Sequence, residues 1–106
     1  MSKYLITGRY TADGVKGLMQ EGGSKRLAAA TAAIESVGGS VESFYYAFGE
    51  EDVFGICDFP DDASAAAVSM LINSTGAVTL TMSRLISVAD MDAAAAKTPT
   101  YRPPGG

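Results

Sequence analysis

The stretch "SVESFYYAFGEEDVFGICDF", residues 40–59, holds two runs of β-branched and aromatic residues around a short acidic segment. Runs of that kind joined by a brief polar loop form a β-hairpin. Ser40 to Phe48 and Val53 to Phe59 are therefore expected as paired antiparallel strands, with "GEED" at 49–52 as the turn. Alternation along the first strand puts Phe44, Tyr46 and Phe48 on one face and Val41, Tyr45 and Ala47 on the other. In the second it separates Phe54 and Ile56 from Val53, Cys57 and Phe59. Apolar residues thus occupy both faces. An antiparallel sheet with one wet face alternates apolar and polar residues more cleanly.

Upstream of the hairpin, Lys3 to Tyr10 reads as a strand, with Tyr4, Ile6, Gly8 and Tyr10 on one face. "TADG" at 11–14 breaks it. A helix is expected from about Ser24 to Val37, because Leu27, Ala30, Ile34 and Val37 fall at helical spacing and Gly38–Gly39 stops it. Downstream, "PDDASAAAVSMLIN" starts a second helix capped by Asp61 or Asp62. Ala77 to Ser87 reads as a fourth strand, "VADMDAAAAK" as a short terminal helix and residues 98–106 as an extended tail. The order is βαββαβ. The expected fold is α+β and ferredoxin-like: a four-stranded antiparallel sheet with two helices on one face. No linker interrupts residues 1–106, so one domain is expected.

Those helices cover only one face. Leaving two or three aromatics bare on the other forgoes roughly 1.5–3 kcal/mol each. A second copy of the chain is the expected cover, giving a dimeric α/β barrel. The plainer alternative is a monomer covered by its own tail or terminal helix.

Composition sets further bounds. Hydrophobic residues make up 47% and charged residues 19% of the 106 residues, a globular balance and not a disordered one. No lysine or arginine lies between Arg26 and Arg84, while eight acidic residues do. A net charge of −4 argues against nucleic-acid binding, which needs clustered bases against phosphate. No apolar run is long enough to span a bilayer. With Cys57 as the sole cysteine, no intrachain disulfide forms, and a cytoplasmic location is expected.

The sequence resembles the GYD-domain family, small microbial proteins grouped with the dimeric α/β barrels. The likeness runs through "YTADGVKGL", "EGGSKR", "SVGGSVESFYYAFGEEDV", "FPDDASAAA", "TGAVTLTMSRL" and "YRPPG". Phe48, Gly49 and Asp52 match the hairpin motif that names the family, and Glu51 stands where the motif has tyrosine. The resemblance implies the barrel fold, a bacterial source and a homo-oligomer, but no particular reaction. Relatives in the wider barrel group include cofactor-free monooxygenases, haem-degrading enzymes and isomerases, an analogy of fold alone.

Candidate chemistry is sparse. "EGGSKR" at 21–26 outlines a phosphate cradle, yet Gly23 stands where a P-loop needs lysine and no strand directly precedes it. Ser24 reads first as a helix N-cap; with Lys25 and Arg26 it forms, as a second reading, an anion site. The consecutive Glu50, Glu51 and Asp52 cannot converge on a metal, and without histidine a zinc site is not expected. Histidine-based nucleophile systems are likewise excluded. Asp52 is the best candidate for a catalytic base, although it has two structural alternatives, capping the hairpin or pairing with Arg9 or Arg84. Arg9, Tyr10, Tyr45, Tyr46 and Arg84 are the candidate ligand-binding residues. No cofactor is expected. Three readings survive: an oligomeric small-molecule-binding module, a cofactor-independent enzyme on a small organic substrate, and an assembly protein.

Overall fold

The computed structural model describes residues 1–106. Its elements run β1 (Ser2–Tyr10), α1 (Ala12–Glu21), α2 (Gly23–Glu35), β2 (Ser40–Tyr46), β3 (Val53–Phe59), α3 (Asp62–Ser74), β4 (Val78–Leu85) and α4 (Val88–Ala95). The four strands form one antiparallel sheet in the order β2-β3-β1-β4, the ferredoxin-like arrangement expected from the sequence. No helix is long and apolar enough to cross a membrane.

The helix-side face carries Tyr4, Ile6, Val53, Cys57 and Phe59, all buried. Tyr4 and Phe59 pack edge to face, with ring centroids 5.5 Å apart. Above them lie Ile34 of α2 and Ala65 and Val68 of α3. The opposite face shows Leu5 and Ile56 half-covered and Tyr45 and Phe54 exposed. The hairpin is paired as expected, with Tyr45 opposite Phe54 and Tyr46 opposite Val53.

Three local readings need correction. First, a bulge between Val41 and Ser43 shifts the β2 register. It turns Val41 onto the helix side with Phe44 and Tyr46, where it packs on the core, and not with Tyr45. A bulge adds one residue to a strand and so reverses which parity faces inward. β2 also ends at Tyr46, which leaves Phe48 outside it and fully exposed.

Second, "TADGVKGLMQ" is a helix. Thr11 caps it, its hydroxyl accepting from the Gly14 N–H at 3.2 Å. Gly14 is there for contact and does not break the chain: a Cβ on it would lie 1.9 Å from the Ala77 carbonyl oxygen. The sheet therefore has α1 beside it as well as the two expected helices.

Third, Ser24 is not an N-cap. Gly22, at φ 84°, ends α1 through its N–H to the Leu18 carbonyl at 2.8 Å and opens α2 in the same step. A left-handed φ suits glycine. The second helix agrees with the sequence: Asp61 caps α3, accepting from the Ser64 N–H at 2.7 Å. Hydrogen bonding from the Ser64 side chain, and then from its backbone N–H, holds the Asp61 carboxyl below the usual range.

Candidate ligand cavity

The two ends of the helix-side face are filled differently. Around Tyr4 and Phe59 the aromatic rings occupy the space under α2 and α3. Toward the other end, β3 offers Gly55, which has no side chain, and α2 presents Ala29, Ala30 and Ala33 between Arg26 and Ile34. Small residues facing each other across a layer that large ones hold open leave a void. That void is a cavity of about 130 Å³ with an almost wholly apolar lining. Phe44, Val78 and Leu80 line it too, Ile6, Ile34, Cys57 and Val68 are shared with the core cluster, and Tyr10 and Arg26 supply its polar groups.

Outside it lies a more open cleft of about 370 Å³ bordered by Tyr10, Val15, Leu18, Tyr46, Ala47 and Asp52. Tyr10 belongs to both spaces. The Tyr46 hydroxyl donates to the Gly23 carbonyl at 2.8 Å. Glycine is needed there, since a Cβ on Gly23 would come within 2.9 Å of the Tyr46 ring. Burial pushes the Tyr10 phenol up, Tyr46 adds to the shift, and Arg26 opposes it. Burial likewise raises the Tyr46 phenol, again against Arg26. Both hydroxyls are therefore protonated at neutral pH and act as hydrogen-bonding groups, not as bases. Arg26 also pairs with Glu21 at 3.2 Å.

Asp52 has structural work at the rim. One carboxylate oxygen accepts from the Tyr10 N–H at 2.9 Å. Its own N–H donates to the Gly8 carbonyl, and its carbonyl accepts from Ala47, both at 2.8 Å. It thereby ties the end of β1 to the hairpin. Of the two alternatives to a base, capping describes it and pairing with Arg9 or Arg84 does not. Arg9 lies on the open face, 3.7 Å from Glu51, so the carboxylate at the motif tyrosine position has its own partner. Arg84 lies at the packed end, opposite Tyr4, where it donates to Ser2 at 3.0 Å and approaches Asp62 at 3.9 Å. The Tyr4 hydroxyl donates to Asp62, and that bond raises its phenol.

The structure thus brings together Tyr10, Tyr46, Asp52 and Arg26. Tyr45 and Arg9 lie on the other side of the sheet, and Arg84 at the far end. Ser24 and Lys25 are exposed on the first turn of α2, while Arg26 turns inward. Gly55 and the three alanines, which leave the cavity open, were not among the candidate residues. Their signal was present: a run of small residues at helical spacing, set against an aromatic-rich hairpin. Cys57 is a wall residue, fully buried, and burial pushes its thiol up to about 11, with Asp58 adding to the shift.

A ferredoxin-like sheet with a hollow between sheet and helices defines the class of protein. The chain belongs to the GYD domain family, whose model matches residues 4–95. Among solved structures it is similar to the NE2512 protein of unknown function from Nitrosomonas europaea. That likeness is 18% identity over 94% of this chain and 96% of the other, with a TM-score of 0.41. No curated protein matches the chain.

Proposed function

We propose that this protein is a small-molecule-binding module that works as a homo-oligomer, with its ligand in the cavity between sheet and helices. The observation that carries the reading is the cavity itself: about 130 Å³, apolar, with Arg26 and Tyr10 at one end. An apolar cavity of about 150 Å³ is known to hold benzene. The fitting ligand is therefore one small ring or a short branched chain, with a polar or anionic group toward Arg26 and the Tyr10 hydroxyl. A cofactor-independent enzyme reading has less support, because one Asp52 oxygen is taken by the Tyr10 N–H and the cavity itself holds no carboxylate.

The test is native mass spectrometry of freshly purified protein, followed by amide NMR titration with benzoate, phenol and isobutyrate. Retained mass, or shifts centred on Ala30, Gly55 and Leu80, supports the reading. No retained mass and no shift at those amides with any of the three overturns it.

A further inference from the structure

No residue from Ile86 onward is buried against the rest of the molecule. None of the residues of α4 is buried, and Val88 is 82% exposed. Met91 is 56% and Tyr101 76% exposed. The hydrogen bonds of residues 86–106 all close within that segment, including the Ser87 cap on the Asp90 N–H at 3.0 Å. An isolated helix shorter than about 12 residues is marginal in water. An eight-residue α4 therefore needs a surface, and its own body does not supply one.

The whole-molecule dimensions say the same. The radius of gyration is 17.0 Å, against about 13 Å for a compact chain of this length. The longest extent is 56 Å and the shortest 22 Å. The accessible surface is 7175 Å², against about 5,600 Å² for a folded monomer of this mass. The excess of about 1,600 Å² is roughly twice the ~800 Å² that each partner gives to a standard interface.

A surface that fits lies on the same chain, and α4 is not packed on it. The open sheet face has an uncharged middle of Leu5, Tyr45, Phe54 and Ile56. Its charges are paired off at the two ends, Lys3 with Glu42 and Asp58 at one and Arg9 with Glu51 at the other. In α4, Val88, Met91 and Ala95 share one side. A two-residue connector joins β4 to α4, and none of the residues of α4 is buried against the sheet. Arm and face are complementary and do not meet within one chain, the condition for a reciprocal two-fold contact.

We infer that residues 86–106 form an exchanged arm that lies on the open sheet face of a second copy, burying Val88 and Met91 against its Phe54 and Ile56. This rests on the homo-oligomer part of the proposed function and not on the cavity. Native mass spectrometry is run on the full chain, on a chain ending at Ser87, and on Val88→Asp/Met91→Asp, with circular dichroism to confirm the fold of each. The expected result is a dimer for the full chain and a folded monomer for both variants. A dimer that survives in a folded variant overturns the arm and leaves the oligomer standing. A monomeric full chain overturns both.

A second measurement does not depend on the truncated chain folding. Phe54→Cys and Met91→Cys chains are mixed, dissociated, reassociated and treated with a short bismaleimide. A cross-linked pair holding one of each is expected, and its absence overturns the arm.

Discussion

The packed and hollow ends of the helix-side face are built on the same sheet and under the same helices, yet they use different residues. At one end Tyr4 and Phe59 meet at 5.5 Å beneath Ile34, Ala65 and Val68. At the other, Gly55 faces Ala29, Ala30 and Ala33 across an empty 130 Å³. The difference teaches that one layer can be close-packed at one end and open at the other. The rings at the packed end fix the spacing between helices and sheet. The small residues at the hollow end leave that spacing unfilled.

The largest effect should come from the packed end. Phe59→Ala removes a fully buried ring and should cost about 3–5 kcal/mol in chemical denaturation. Val78→Ala, at the cavity wall, should cost about 1 kcal/mol, because its neighbours already border empty space. Equal losses would break the comparison.

The same substitution at both ends should change sign. Ala65→Leu forces extra atoms into filled space and should destabilise by about 1–3 kcal/mol. Ala33→Leu projects into the void and should stabilise by about 1 kcal/mol, since each buried methylene gives about 0.8 kcal/mol. It should also abolish any shift seen with benzoate or phenol. Thermal melts of the two variants side by side decide this.

Cys57 lies where the two ends meet, in the core cluster and in the cavity wall. Its thiol is raised from 9.0 to about 11 in the fold. The folded chain therefore keeps a proton that the unfolded chain has lost between those values. Its contribution to stability is complete below about pH 9 and is lost as pH rises toward 11. Cys57→Ala should flatten that alkaline decline, measured by denaturation at stepped pH. The wild-type thiol should react with iodoacetamide only after unfolding.

The layout of the sheet was legible in residues 40–59 because strand pairing follows from alternation and a short acidic turn. The face assignments of Tyr4, Ile6, Val53, Cys57 and Phe59 followed from the same period. Val41 was not legible, because a bulge leaves no mark in composition while reversing parity. The helix at 12–21 was hidden because "TADG" was read as a break, although Gly14 is fixed by the approach of Ala77. The site was half legible. Tyr10, Tyr46, Asp52 and Arg26 were all singled out. Arg9 and Tyr45 were grouped with them although alternation sets them on the face opposite Tyr10 and Tyr46, and Arg84 because a sequence does not show which end of the sheet a residue reaches.

Asp52 gives the smallest and most discriminating effect. Its carboxylate accepts one backbone N–H at the cavity rim, and asparagine retains an oxygen in the same place. Exchanging a charged acceptor for a neutral one should cost about 1 kcal/mol. Asp52→Asn should then melt slightly earlier and bind benzoate or phenol as the parent does. Such a result assigns the residue to the join between β1 and the hairpin, and so to the scaffold that holds the hollow end open. Lost binding with unchanged stability would instead move Asp52 from the rim into the site itself, beside Tyr10 and Arg26. The division between a structural end and a binding end would then have to be drawn through the hollow end, with Asp52 on the binding side.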